Sequence, residues 1–137
     1  MDIRLDHIGI AVNELDGGGK FWELLGLKKG RDETNDEQKV DIRFFETSAS
    51  EKPPKIELLA PTSDDSPIGK FLSKKGPGIQ QIAFQVDDLD SLLEKLSNEG
   101  VRLINESPTI GAGGSRIAFV HPSSTGGVLV ELLEYDH

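Results

Sequence analysis

The sequence contains one segment twice, and this repetition constrains the fold more than any other feature. A displacement of 74 residues aligns residues of matching character along both halves: His7 with Gln81, Leu15-Asp16 with Leu89-Asp90, Phe45 with Phe119, and Glu57-Leu58-Leu59 with Glu131-Leu132-Leu133. This offset holds over more than fifty positions without a gap. We therefore predict two copies of one module of about sixty residues, joined by a linker.

Each copy opens with a predicted strand and continues with a predicted helix. The strands are Leu5 to Val12 and Ile79 to Val86, and each ends in an acidic turn that suits a helix N-cap. In the second copy, leucines at helical spacing predict a helix that begins at Leu89 and stops at Gly100.

The helix of the first copy is predicted to be less regular. Phe21, Leu24 and Leu25 give it an apolar face, and Gly26 ends it. Gly17-Gly18-Gly19 stands where its first turn belongs, and each glycine costs up to about 1 kcal/mol in a helix interior. We therefore predict a frayed first turn.

Further strands complete each module. The middle and closing strands are predicted at Val40 to Thr47, Lys55 to Ala60, Arg116 to His121, and Val128 to Glu134. Between the modules, Ser66-Pro67 predicts the N-cap and first position of a short linker helix. The predicted fold is α+β: one domain (1–137) in which two pseudo-symmetric βαβββ modules, 3–60 and 79–135, and a linker, 61–78, form a curved mixed sheet with a cavity.

The composition excludes several classes of function. There are 24 Asp and Glu against 15 Lys and Arg, and the net charge of −9 argues against nucleic acid or an anionic membrane surface as partner. The chain has no cysteine, so disulfides, thiolate metal sites and thiol catalysis are excluded. The first residues contain no apolar signal core and no apolar run reaches membrane-spanning length, so we expect a cytoplasmic protein.

Polar residues recur at the same two places in both modules. His7 is equivalent to Gln81 and Glu57 to Glu131, and each lies in a predicted strand, the glutamates between two apolar residues and His7 and Gln81 each before an isoleucine. Taken singly, a strand glutamate usually points to water and a lone histidine is usually structural. The recurrence favours a shared site, because a buried carboxylate is costly unless it is paired or metal-bound. One nitrogen and three oxygen donors would suit Zn, Co, Ni or Mn.

Six segments, which together span nearly the whole chain, carry a resemblance to a known family. They are Leu5–Val12, Ile56–Pro61, Ser66–Leu72, Ile110–Gly114, Phe119–Pro122 and Gly126–Leu132. The strand segments resemble the vicinal oxygen chelate superfamily as a whole. The linker helix, the Gly-Ala-Gly-Gly stretch and the His-Pro followed by Gly-Gly-Val resemble its methylmalonyl-CoA epimerase branch.

The resemblance implies a metal-dependent epimerase that interconverts the (2R) and (2S) forms of methylmalonyl-CoA. A divalent metal would be bound by His7, Glu57, Gln81 and Glu131, although the family normally carries two histidines where this chain has Gln80-Gln81. The metal would stabilise the enolate that forms when the α-proton is removed.

Epimerisation also needs acid/base groups that serve both faces of the α-carbon. The resemblance implies Glu131 as one base and, as the other, an acid in the middle strand of the first copy, which is Asp41 here.

Other residues are predicted to contact the acyl-CoA substrate. They are His121 at a strand end, Ser124 and Thr125 in the turn before the last strand, and Gly113 in a flexible glycine-rich loop over the pocket mouth. An ordinary turn explains His121, Ser124 and Thr125 as well. The candidates for the CoA phosphates are Lys70, Lys74, Lys75 and Arg116, each of which also suits a solvated face.

Two other functions stay open at this point. One is a glyoxalase-like lyase or isomerase on a thiol adduct, against which the epimerase-like linker argues. The other is a metal-free small-molecule-binding protein, which Gln81 favours, although two apposed carboxylates without a metal would repel each other. Exposed sheet edges favour pairing between chains, and members of the resembled family are commonly homodimers, so we predict a homodimer.

Overall fold

The computed structural model describes residues 2–47 and 52–135. Its elements in chain order are β1 (Ile3–Ala11), α1 (Leu15–Leu25), β2 (Lys28–Asn35), β3 (Val40–Glu46), β4 (Lys55–Pro61), α2 (Pro67–Lys75), β5 (Gly78–Val86), α3 (Leu89–Asn98), β6 (Thr109–Ile110), β7 (Arg116–Val120) and β8 (Leu129–Glu134). The predicted α+β class and the βαβββ order of both copies are confirmed. The chain forms two compact units: His7–Gln80 is one, and Met1–Asp6 with Gln81–His137 is the other.

In the unit His7–Gln80, four strands lie in the order β2-β3-β4-β1. β3 pairs antiparallel with β2 and β4, whereas β4 pairs parallel with β1. Side chains alternate between the two faces of these strands. One face, the helix face, packs under α1 through an apolar core of Val12, Phe45, Leu58 and Ala60. The opposite face, the site face, carries His7 and Glu57.

The glycines of α1 let the helix lie close on its sheet. α1 is regular from Leu15 onward, so the predicted fraying of its first turn is wrong. A Cβ on Gly18 would come within 2.6 Å of Val12 Cγ1, and one on Gly19 within 3.3 Å of the Phe45 ring. Close packing at these two positions therefore offsets the cost of glycine in a helix.

The predicted apolar face of α1 is also wrong. Phe21, Leu24 and Leu25 are 61%, 78% and 59% exposed. Leu15 and Trp22 pack against the core instead. The apolar pattern misplaces the buried face because glycines, which have no side chain to signal burial, lie at the centre of the contact.

The linker helix α2 is confirmed at both ends. Ser66 Oγ accepts a hydrogen bond from the Gly69 backbone N–H at 3.0 Å, Pro67 is the first helical residue, and Gly76 ends the helix. No helix in the described part of the chain combines the length and apolar character needed to cross a membrane.

In the other unit, the strands lie in the order β5-β8-β7-β6. β5 pairs parallel with β8, and β7 pairs antiparallel with β8 and β6. α3 begins after Asp88, whose carboxylate accepts a hydrogen bond from the Ser91 backbone N–H at 3.1 Å. The helix face under α3 contains Val86, Ala118, Val120 and Leu132. Gln81 and Glu131 lie on the opposite face, which is the site face of this unit.

The strand registers correct the repeat by one residue. Glu57 lies opposite Phe44 on β3, and Glu131 lies opposite Phe119 on β7. Phe119 is therefore the counterpart of Phe44 rather than of Phe45, and the offset within this strand is 75 instead of 74. The prediction of one gap-free offset is wrong here, because the second module has one residue more between its first strand and β7 than the first module has between β1 and β3.

Candidate functional site

β1 and β4 bring His7 and Glu57 together. Their parallel register sets Lys55 opposite His7 and Gly9 opposite Glu57, so the two side chains lie diagonally on one face of neighbouring strands. His7 Nδ1 is 3.0 Å from Glu57 Oε2. Both residues are buried, at 4% and 5% exposure. A carboxylate held this far from water is stabilised by the imidazole and by any cation that binds beside it.

β5 and β8 repeat this arrangement with an amide in place of the imidazole. Their register sets Leu129 opposite Gln81 and Ala83 opposite Glu131. Gln81 Nε2 donates a hydrogen bond to Glu131 Oε1 at 2.8 Å, and both residues are 7% exposed. An amide side chain carries an acceptor oxygen as well as donors, so the same position also offers an oxygen ligand.

A further buried acid stands beside the first pair. Asp6 precedes His7 on β1, and one ligand atom from each of Asp6, His7 and Glu57 lies within 4.8 Å of the others. Asp6 also accepts a hydrogen bond from the Tyr135 hydroxyl at 3.0 Å. Two carboxylates and one imidazole at this spacing fit a divalent cation. Asp6 was not predicted, because strand alternation assigns it the face opposite to His7.

The four predicted ligands thus form two pairs, one in each unit. Both pairs are buried, and each contains one carboxylate and one side chain that can donate a ligand atom. This donor chemistry fits a divalent metal. Binding of a single ion by all four residues stays a prediction.

Asp41 lies on the face that does not suit its predicted catalytic role. It is opposite Thr34 on β2 and Ala60 on β4, and it accepts a hydrogen bond from Thr34 Oγ1 at 2.6 Å. Because Ala60 belongs to the helix face, so does Asp41. The β3 residues on the site face are Phe44, opposite Glu57, and Ile42, opposite Leu59. This placement counts against Asp41 as the second acid/base.

An ion-pair cluster occupies the same helix face. The Arg43 guanidinium donates to both carboxylate oxygens of Asp32, at 2.8 and 2.9 Å, and to Asp16 of α1 at 2.9 Å. The hydrogen bonds from Arg43 lower the pKa of the Asp32 carboxyl below its ordinary value. The cluster ties α1 to β2 and β3 and leaves Arg43 committed to a structural role.

The predicted substrate contacts after β7 already take part in hydrogen bonds, His121 and Thr125 within their own turn and Ser124 with the backbone N–H of Arg102. His121 Nδ1 accepts a hydrogen bond from the Ser123 backbone N–H at 3.0 Å, so a neutral ring carries its proton on Nε2. The hydroxyls of Ser124 and Thr125 accept backbone N–H bonds at 2.9 and 3.2 Å. A contact of these residues with substrate stays a prediction.

The glycine-rich loop is closed on itself. Gly111 N–H donates to the Ser115 carbonyl at 2.8 Å across a 3₁₀ turn at Ala112–Gly114. Gly113 has a φ of 67°, a left-handed conformation that favours glycine. The loop is present where it was predicted, and its position over a pocket mouth stays a prediction.

The predicted CoA contacts differ in availability. Arg116 donates to Asp90 at 3.0 Å and to Glu134 at 3.2 Å, which places it in an ion-pair cluster at α3. Lys70, Lys74 and Lys75 are exposed on α2. Lys55, which is not among the predicted contacts, precedes Glu57 by two residues and lies on the same face of β4.

Comparisons with known proteins agree with this fold. The family model of the Glyoxalase/Bleomycin resistance protein/Dioxygenase superfamily matches residues 6–119. The uncharacterized protein YqjC of Bacillus subtilis is 46% identical over 132 residues, which cover 96% of this chain and 91% of that protein. The mitochondrial methylmalonyl-CoA epimerase of Bos taurus is 36% identical over 131 residues, covering 94% of this chain and 73% of its own. A variant of the Streptomyces coelicolor methylmalonyl-CoA epimerase, solved in complex with 2-nitronate-propionyl-CoA, superposes with a TM-score of 0.90 at 37% identity and covers 96% of this chain and 93% of its own.

Proposed function

Since the chain belongs to the glyoxalase/bleomycin resistance protein/dioxygenase superfamily, we propose that it is an isomerase that epimerises methylmalonyl-CoA at its α-carbon. The family resemblance found in the sequence is confirmed by the Bos taurus and Streptomyces coelicolor relatives, both of which are methylmalonyl-CoA epimerases. The observation that carries the proposal is the repeated buried pair, His7 with Glu57 and Gln81 with Glu131.

The reaction requires stabilisation of negative charge. The α-carbon of methylmalonyl-CoA lies between a thioester and a carboxylate, and removal of its proton develops charge on the thioester oxygen. A bound divalent metal would supply Lewis-acid stabilisation of that charge. We propose that His7, Glu57, Gln81 and Glu131 are its ligands, with Asp6 beside them, because these are buried side chains with the donor chemistry the ion requires.

Glu131 is proposed as one acid/base. Its carboxylate takes the α-proton from one face of the α-carbon, and a proton from the acid on the opposite face completes the inversion; in the reverse direction protonated Glu131 is the donor. The hydrogen bond from Gln81 fixes the orientation of the Glu131 carboxylate, which a proton transfer over hydrogen-bond distance requires. For the opposite face of the α-carbon we propose Glu57, the repeat counterpart of Glu131, because Asp41 lies on the helix face.

The partners follow from the same proposal. They are an acyl-CoA substrate and a second copy of this chain in a cytoplasmic homodimer, with no nucleic acid and no membrane. Sedimentation of the protein at several concentrations measures the oligomeric state. A species of twice the 14.9 kDa chain mass is expected, and a monomer throughout contradicts the dimer.

The change in circular dichroism as the α-carbon equilibrates between its two configurations tests the function. A single epimer of methylmalonyl-CoA is incubated with cobalt-loaded protein, and its circular dichroism is followed over time. We expect the signal to decay with the wild type and to persist with Glu131→Gln, which keeps the shape of the side chain but cannot accept the proton. A signal that persists with the metal-saturated wild type contradicts the proposed function.

A further inference from the structure

Lys55 lies beside His7 and Glu57 on the site face of its unit. It begins β4, two residues before Glu57, so the two side chains project from the same face. The strand registers place Lys55 opposite His7 on β1 and opposite Glu46 on β3. Its Cα is therefore about 5 Å from that of His7 and roughly 7 Å from that of Glu57.

The ammonium group of Lys55 forms no hydrogen bond or ion pair with any residue in ranges 2–47 and 52–135. The carboxylate of Glu46, across the strand pair, is exposed and does not pair with it. By contrast, the guanidinium of Arg43 on the neighbouring strand β3 donates hydrogen bonds to Asp32 and Asp16. Lys55 is half-buried, and a half-buried charge beside a polar pair is stabilised when a ligand of opposite charge binds.

The substrate of the proposed reaction supplies such a charge. Methylmalonyl-CoA differs from a neutral acyl-CoA by the carboxylate on its α-carbon, within one bond of the reacting centre. The flexible four-carbon stem of a lysine carries its compact ammonium charge to a ligand held at the neighbouring His7 and Glu57.

We propose that Lys55 pairs with the α-carboxylate of the substrate and thereby selects malonyl-type thioesters over neutral ones. This inference rests on the proposed function and deepens it. It assigns specificity to a residue outside the ligand set, while the phosphates of CoA, which every acyl-CoA shares, would bind elsewhere. Lys55 is a binding residue in this account and takes no proton.

Calorimetric titration with malonyl-CoA and with propionyl-CoA tests the assignment without turnover. We expect Lys55→Met to weaken malonyl-CoA binding by about tenfold and to leave propionyl-CoA binding within about twofold. Lys55→Arg keeps the charge and should keep most of the preference for malonyl-CoA. Lys95→Met, at an exposed position of α3, is the matched control and should change neither affinity.

Three outcomes would overturn the inference. Equal weakening of both ligands by Lys55→Met would assign Lys55 to the shared CoA portion. Unchanged malonyl-CoA binding, with the variant folded by far-ultraviolet circular dichroism, would remove Lys55 from binding altogether. In both cases the proposed function stands. A wild type that binds neither thioester contradicts the inference and the proposed function together.

Discussion

Gln81 donates a hydrogen bond to Glu131 at 2.8 Å between buried side chains that lie 50 residues apart in the chain. The other unit joins His7 to Glu57 across the same separation, at 3.0 Å. Both units therefore keep the acid, and only the partner of the acid differs, an imidazole in one and an amide in the other. If these residues are ligands, the amide is the weakest of the four.

Replacement of that amide should strengthen metal binding. We expect Gln81→His to tighten cobalt binding by roughly tenfold, because imidazole is a better ligand than a neutral amide oxygen for this class of metal. Visible absorption during cobalt titration measures the affinity. Gln85→His places the same change on the same face of β5 and serves as the control, with no gain expected. An equal affinity in Gln81→His and wild type would remove Gln81 from the ligand set.

Asp41 should be dispensable for catalysis. It lies on the helix face and is hydrogen-bonded to Thr34, so we expect Asp41→Asn to epimerise methylmalonyl-CoA at a rate within about twofold of the wild type. Glu131→Gln, measured in the same assay, should lose roughly 10²–10⁴-fold. A comparable loss in Asp41→Asn would restore the role that the sequence predicted.

The sequence predicts those features whose signals are local. The Ser66 cap of α2, the Asp88 cap of α3 and the strand positions of His7 and Glu57 all follow from neighbouring residues. The face on which Asp41 lies cannot be predicted in this way. A shift of one residue in the pairing of β3 moves every side chain of that strand to the other face, and neighbouring residues do not determine this register.

Three further features depend on tertiary packing. β2 was not located because its sequence, Lys28–Asn35, is polar throughout and pairs as an edge strand with β3. The contact face of α1 was misplaced because Gly18 and Gly19 approach the sheet without side chains. Asp6 places a ligand atom within 4.8 Å of those of His7 and Glu57, a proximity that strand alternation does not predict for the residue next to His7.

The glycines of α1 should not tolerate a methyl group equally. In Gly18→Ala the new Cβ would lie 2.6 Å from Val12 Cγ1, so we expect a loss of about 1–3 kcal/mol in the free energy of unfolding. In Gly17→Ala the Cβ would meet only the flexible end of Glu14, and the better helix propensity of alanine should give a gain of up to about 1 kcal/mol. Urea denaturation measures both. Equal effects would contradict the close packing of α1.

The Arg43–Asp32 pair should make stability depend on pH. Because the folded state lowers the pKa of Asp32, its contribution is full above the unfolded pKa and is lost as pH falls through the lower folded value. We expect Asp32→Asn to lose about 1 kcal/mol at pH 7, a modest value because the Asp32 side chain is 45% exposed. The difference from the wild type should shrink toward zero in acid.

Urea denaturation between pH 7 and pH 2 follows this difference. Asp36→Asn, at an exposed position, changes the net charge equally and is the control. A difference between wild type and Asp32→Asn that stays constant with pH would show that Asp32 acts through packing rather than charge.

Exchange of the α-proton for deuterium tests the central claim most directly. Methylmalonyl-CoA is incubated in D₂O with the protein as purified, after chelation and after addition of cobalt, and the α-proton is followed by NMR. We expect exchange that chelation abolishes and cobalt restores, since the buried pairs at His7–Glu57 and Gln81–Glu131 are assigned to a metal and to proton transfer. The absence of exchange at saturating cobalt would contradict this assignment.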